Sequence, residues 1–515
     1  ELPLRTLFEK PSLSGLAAEI EVLKRVGRHE PLPKIVRVQR TDAIPLSYGQ
    51  QRLWFLDQLQ PGSSQYNSWR AIRVKGALDQ DALKRAIREI VRRHEVLRTR
   101  YRAQDGVPVQ EILRDQYMEI EEEDLRREPD ESRESMAREI ARKYGAKGFN
   151  LETGPLMRVK LIKLGEAECV LVVVMHHIVS DAWSLSILVK EIGALYEGFR
   201  RGGESPLEEL KIQYADYANW QRSWMEGEGL KEQMTYWTRQ LGGSLPELVL
   251  PVDRVKTETS QAAQHTFLMK AQTISQLRDL SRKEGATMFM MLLAAFKVLL
   301  HHYSGQHDII VGTPVANRNL AEIEGLIGFF VNILAIRTEV SGNPTFIELL
   351  GRVREVALAA YAHQDVPFEK IVEALRPERR SNRSPLFQVT FTLQNTPVEA
   401  VSLPEVTLEP LDFEVDEAPY DFMLDLWEYP TAIAGFFRYR KELFYPGTIA
   451  RIARRFSLLL ENIALDPQAR LSVLISTLAA ADRHDATAEA KERKASRTLK
   501  LRTARRRTLD AVETS

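Results

Sequence analysis

The stretch CVLVVVMHHIVSDAWSLSIL, residues 169–188, decides how the chain is read. Cys169 to Met175 is an unbroken apolar, β-branched run, the pattern of a strand covered on both faces. His176 and His177 stand at its end. Neighbouring strand residues point to opposite faces, so only one of the two can address a given cavity. Ser180 and Asp181 then open a helix, because Leu185, Ile187, Leu188, Ile192 and Leu195 follow at helical spacing. Polar groups held at the junction of a strand and a helix sit on a rigid frame, a common place for function.

A neutral imidazole at this junction can take the proton that an amine sheds while attacking an acyl carbonyl. The nucleophile is then the substrate's own amine, so no Ser or Cys is required. On the residues alone, two adjacent histidines fit a hydrogen-bonded core pair just as well. Zinc is disfavoured, since sequential histidines space poorly for a metal and no third ligand stands out. Asp181 is expected to make a structural ion pair with an arginine rather than to orient a histidine. It opens a helix, turns away from the histidine face, and a buried acid needs a partner.

Working outward, strands are expected at 69–75, 96–102 and 156–163, with helices at 48–59, 80–94, 131–146 and 182–200. A second mixed segment predicts helices at 228–241, 273–284, 287–303, 345–362, 366–375 and 446–465. Its strands are expected at 308–313, 330–340, 386–394, 420–428 and 432–439. Strands interleave with helices in both halves, so the fold class is α/β. Residues 1–25 read as a capped helix and 26–43 as a Pro- and charge-rich linker. Beyond 475 apolar periodicity fades. Residues 476–515, with Lys491, Arg493, Arg505, Arg506 and Arg507, read as a basic linker.

At 515 residues the chain needs more than one core. Its formal net charge is zero, which gives no case for nucleic acid or an anionic membrane as partner, and no apolar run reaches membrane-spanning length. Cys169 is the one cysteine; it rules out an internal disulfide and fits a reducing cytoplasm, where the chain is expected.

The segment MHHIVSDAWS (175–184) resembles the His-His-x-x-x-Asp-Gly motif of non-ribosomal peptide synthetase condensation domains. LSYGQQRLWFLDQL (46–59), RRHEVLRTRY (92–101), IQYADYANWQ (212–221), IGFFVNILAIR (327–337), HQDVPFEKIV (363–372) and RSPLFQVTF (383–391) resemble that family's other motifs, in its order. The resemblance covers about 44–475. It implies two chloramphenicol-acetyltransferase-like lobes, 44–221 and 222–475, forming a V-shaped pseudo-dimer with a central tunnel. It also implies amide-bond formation between a carrier-bound aminoacyl or peptidyl thioester and a carrier-bound acceptor amine. His177 is then the catalytic residue, supported by His176, Asp181, Arg318 and Arg52. Arg318 is the expected partner of Asp181. Ala182, Trp183, Ser184, Gly328 and Asn332 are expected to line the tunnel.

The implied partners are upstream and downstream peptidyl carrier domains and neighbouring synthetase domains. Substrates would arrive on the carriers' phosphopantetheine, with no cofactor bound by this chain. Residues 1–25 resemble the end of a carrier domain, and the wording of the motifs resembles the class that joins an L-donor to an L-acceptor. The chain reads as a monomeric piece of something longer, leading after 515 to another domain that resembles a dioxygenase-like hydroxylase more than an adenylation domain. Ala182 stands where the family carries Gly. Its methyl is expected to crowd the tunnel floor and lower activity unless the backbone φ there is negative. The alternative reading is a weakly catalytic domain of the same fold that recruits a tailoring enzyme. Against it, both histidines and Asp181 are present.

Overall fold

The computed structural model describes residues 6, 12–26, 33–40, 43–114, 118–225, 227–254, 261–377, 384–394, 405–411, 413, 418–429, 431–488 and 491. The cluster of basic residues expected beyond 491 lies outside them.

The apolar run forms the strand Glu168–His176, in the middle of a five-stranded sheet. The strand order is Val406–Leu411, Asn67–Gly76, Glu168–His176, Met157–Gly165, Ile120–Asp124. Both immediate neighbours of the central strand run antiparallel to it, with Asn67 opposite His176 and Met157 opposite Met175. Val170, Val172 and Val174 on one face and Leu171, Val173 and Met175 on the other are all buried. Burying each of these side chains is worth roughly 1.5–3 kcal/mol, which explains why the sheet forms around this strand.

The second half forms a six-stranded sheet in the order Asn332–Glu339, Asp308–Val315, Val389–Gln394, Phe422–Glu428, Ile433–Arg440, Ala262–Leu268. Its core is built on the helix Met288–Ser304, which opens with a Thr287 capping box and closes at Gly305 in the left-handed region, φ 70°. Every residue from Met290 to Leu300 of this helix is buried, Lys297 included. Lys297 is tolerated because its Nζ donates to the Ile309 and Ile336 carbonyls, at 2.9 and 2.8 Å.

The two lobes are knitted together by chain crossing. Val406–Leu411 leaves the second half and pairs antiparallel with Asn67–Gly76 in the first-lobe sheet. Ile323, Leu326, Ile327 and Phe330 are likewise buried in the first lobe's core. Residues 33–40, expected as linker, are irregular but clamped down: Arg40 bonds Asp216 and Glu95, and the Val38 amide donates to Asp216 at 2.8 Å. Part of the expected C-terminal linker is corrected outright. Residues 471–488 are helical. Leu471, Leu474 and Leu478 bury one face, and Asp482 bonds His302 and Arg455, both at 2.8 Å. A single apolar stripe on a polar helix is enough to dock it.

Candidate active site

His176 is the last residue of its strand and His177 begins the short 3-10 turn His177–Val179. The turn splits the pair. His176 is buried, and its Nδ1 accepts the Ile178 amide at 3.1 Å. Burial, and then the neighbouring His177, push its pKa down to about 3, so it stays neutral. His177 is half-buried, with the Phe329 ring centred 6.2 Å away. Its backbone amide donates to the Tyr66 carbonyl at 2.7 Å.

The His177 ring has a fixed tautomer. Nδ1 lies 3.1 Å from the Ser180 carbonyl oxygen, which can only accept, so Nδ1 carries the proton. Nε2 is left with a lone pair and no hydrogen bond among the described residues. Burial holds the His177 pKa below its ordinary value, opposed by the Ser180 carbonyl and Asp181 and aided by Arg70. A neutral imidazole with a free lone pair is a base.

Asp181 serves as the N-cap of the helix Ala182–Arg200, and its Oδ1 accepts the Ser184 amide at 2.7 Å. The same oxygen lies 3.2 Å from Nη2 of Arg318, and Oδ2 accepts the Phe330 amide at 3.1 Å. Both members of the ion pair are almost wholly buried. Arg318 spends Nη1 on the Ile323 and Leu326 carbonyls, at 2.8 and 2.7 Å, and packs over the Phe330 ring. The loop that ends in Phe329 beside His177 is thereby pinned to the helix that follows His177.

Several other groups hold the same loop. Tyr214 bonds Ser47 at 2.8 Å and donates to the Phe329 carbonyl at 2.6 Å. His94 Nδ1 accepts the Ile327 amide at 3.3 Å while its Nε2 faces Glu191 at 2.9 Å. Trp183 Nε1 donates to the Glu324 carbonyl at 3.0 Å. Gly328 is needed for this closeness, since a Cβ there would come within 2.0 Å of Tyr214.

The expected tunnel residues therefore divide. Ser184 is buried and bonded to Asp181, Arg318 and the backbone of Gly328. Asn332 is consumed by the Gln364 and Val366 carbonyls and the Phe368 amide. Both are taken up by the packing of the loop, and neither has a polar group left to present to a substrate. Ala182 is exposed at the first position of its helix and has a negative φ, the backbone condition under which a methyl is tolerated there. Arg52 reaches across the lobes to Glu369 at 3.2 Å and lies over Phe368, outside the hydrogen bonds of His177. Sequence reasoning missed Arg70, which stands near His177; as one arginine among many it carried no signal. A surface cavity of 560 Å³ lined by Leu230, Met234, Lys370, Glu373, Ala374 and Arg376 shares no residue with this cluster. No group of three metal-ligating side chains occurs among the described residues.

The Condensation domain profile matches residues 40–484. The chain belongs to the condensation-domain family. It is 44% identical over 471 residues to one of the linear gramicidin synthase proteins of Brevibacillus parabrevis, covering 91% of this chain and 6% of that protein. It is 42% identical over 451 residues to malpinin synthetase of Mortierella alpina, covering 87% of this chain and 6% of the relative. The chain thus spans less than a tenth of the length of these relatives. Among solved structures, the X-domain from teicoplanin biosynthesis superposes with a TM-score of 0.78 at 30% identity, over 85% of this chain and 99% of that one. The starter condensation domain of rhizomide synthetase shares the fold, with a TM-score of 0.71 at 19% identity over 84% of this chain and 97% of that one. Condensation domains of peptide synthetases form amide bonds, and the two-lobed α/β architecture of this chain is theirs. Among the described residues no single helix is long and apolar enough to cross a membrane.

Proposed function

We propose that this condensation domain joins two carrier-bound substrates, with His177 as the proton acceptor. The acceptor's amine attacks the donor's thioester carbonyl. A C–N bond forms, the C–S bond breaks, and the proton lost by the amine passes to Nε2 of His177 and then to the departing thiolate. The single observation that carries this reading is the Nδ1 contact to the Ser180 carbonyl, which leaves Nε2 deprotonated. Donor and acceptor arrive on the phosphopantetheine arms of separate carrier domains, and L-configured groups on both sides are the proposed class.

The test loads two carrier proteins with defined aminoacyl groups and follows dipeptidyl transfer by mass spectrometry. Replacing His177 with Ala is expected to slow transfer by about 10²–10⁴-fold, the usual worth of a positioned base. Undiminished transfer by that variant would remove His177 from the mechanism. A second reading, recruitment of a tailoring enzyme, is supported by the likeness to the teicoplanin X-domain, which has also been solved in complex with OxyB. On that reading the chain would transfer nothing and would bind a trans-acting enzyme. The base-competent His177 supports the first.

A further inference from the structure

We propose that Arg70 is a specificity-determining residue of this site, receiving the carboxylate of an acidic aminoacyl group brought to His177. The inference rests on the acyl-transfer reading above and adds a substrate class to it.

Arg70 lies on the strand beside the one that delivers His176, opposite Val173. Its Nη1 donates to the Trp69 carbonyl at 2.9 Å. Side chains alternate along the strand, so Arg70 shares the sheet face of Val173 and Met175, opposite to that of Asn67 and His176 and the face on which the next residue, His177, follows. Arg70 is solvent-exposed. It still stands close enough for its charge to act on His177, and it feels Arg438 from the second lobe's sheet. It is thus a solvent-reached cation on the sheet face from which His177 follows.

The charges there do not cancel. Arg438 is neutralised by Asp425, whose carboxylate accepts from its Nε at 2.7 Å. Arg70 has no carboxylate partner among the described residues. Arg73, three residues further along the same strand, is paired with Glu134 and Glu168. The charged groups that act on His177 are Asp181 and Arg70; Asp181 is already bound to Arg318, so the charge left without a carboxylate partner is that of Arg70. A guanidinium presents a planar fork that matches a carboxylate with two parallel bonds. Protein crowding around Arg70, and then Arg438, depress its pKa, so an arriving anion is favoured twice: it meets an unpaired fork and relieves the repulsion. The phosphate of a phosphopantetheine arm is joined to the carrier at the far end from the thioester. The anion that reaches the depth of His177 is therefore on the aminoacyl group, donor or acceptor.

The experiment measures transfer with Glu or its neutral isostere Gln, first as donor against a Leu acceptor, then as acceptor with a Leu donor. The wild-type chain is compared with Arg70→Met and Arg70→Lys. The expected result is a preference for Glu over Gln of about tenfold or more in one arm, the worth of a charge-assisted pair formed at the site. Arg70→Met erases that ratio and Arg70→Lys restores part of it. The arm that shows the effect assigns the carboxylate to donor or acceptor. Equal Glu-to-Gln ratios in the wild type and Arg70→Met, in both arms, would overturn the proposal, while continued transfer of Gln and Leu would leave the acyl-transfer reading standing. If the wild type transfers none of these groups, the acyl-transfer reading fails and the Arg70 proposal falls with it.

Discussion

Nη2 of Arg318 lies 3.2 Å from Oδ1 of Asp181 and 3.0 Å from Oγ of Ser184, so one guanidinium from the second half of the chain closes the helix cap that follows His177. The aspartate caps the helix, balances the arginine and holds the Phe330 amide at once. Its role is to fix the frame around the histidine.

Arg318→Ala should therefore destabilise the domain by about 3–5 kcal/mol, because it strands a buried carboxylate without its counter-charge. Arg318→Lys should recover only part, since a single ammonium cannot reproduce both the Asp181 contact and the Ile323 and Leu326 carbonyl bonds. Urea midpoints of the three proteins check the order. A midpoint for Arg318→Ala equal to the wild type would contradict it.

The pH dependence of transfer follows from His177. Its pKa is depressed, so the neutral, proton-accepting form persists below the ordinary histidine range. The acidic limb of kcat/KM for dipeptidyl transfer should fall below pH 6.5, the unperturbed value. Arg70 is one of the causes of the depression, so Arg70→Met should move that limb upward. A pH–rate profile of both proteins, with substrates lacking acidic groups, reads the shift directly.

Ala182 offers a contrast. It is exposed at the start of the helix Ala182–Arg200, where its negative φ needs no glycine. Ala182→Gly should leave the transfer rate unchanged and cost at most about 0.5–1 kcal/mol of stability through added backbone freedom. A several-fold gain in rate would show that the methyl does obstruct the site.

The parts of the fold legible in the sequence are those where one local pattern dominates. Cys169 to Met175 has the β-branched pattern of a covered strand and forms one, and Tyr48–Leu59 falls on the helix expected at 48–59. The strand Ile120–Asp124 was illegible because its sequence is IEEED. It is a sheet edge whose carboxylates meet Lys84, Lys160 and Lys163 from neighbouring elements. Val406–Leu411 contains Pro410 and finds its partner strand far earlier in the chain, at Asn67–Gly76, which no local pattern encodes. The site divides in the same way. His177 and Asp181 stand in one short segment and could be read together. The bonds that consume Ser184 and Asn332 come from distant backbone, and the unpaired state of Arg70 on the same strand as the paired Arg73 exists only in three dimensions.

Lys297 gives the most direct test of the second lobe's core. Burial pushes its pKa down to about 7, with Asp308 opposing. The unfolded chain holds the ordinary value near 10.5. Between those limits the unfolded state binds a proton that the folded state does not, so stability rises with pH across the window. Below about 7 both states are protonated and the whole cost of burying the charge is felt. Urea midpoints should therefore climb from about pH 7 to about pH 9.5, inside that window. In Lys297→Met the climb should flatten, because the side chain that titrates is gone. The substitution also removes the donor to the Ile309 and Ile336 carbonyls, so its stability at the alkaline end of the window should fall below that of the wild type. Parallel pH profiles for the two proteins would show that the ammonium is not the group being titrated.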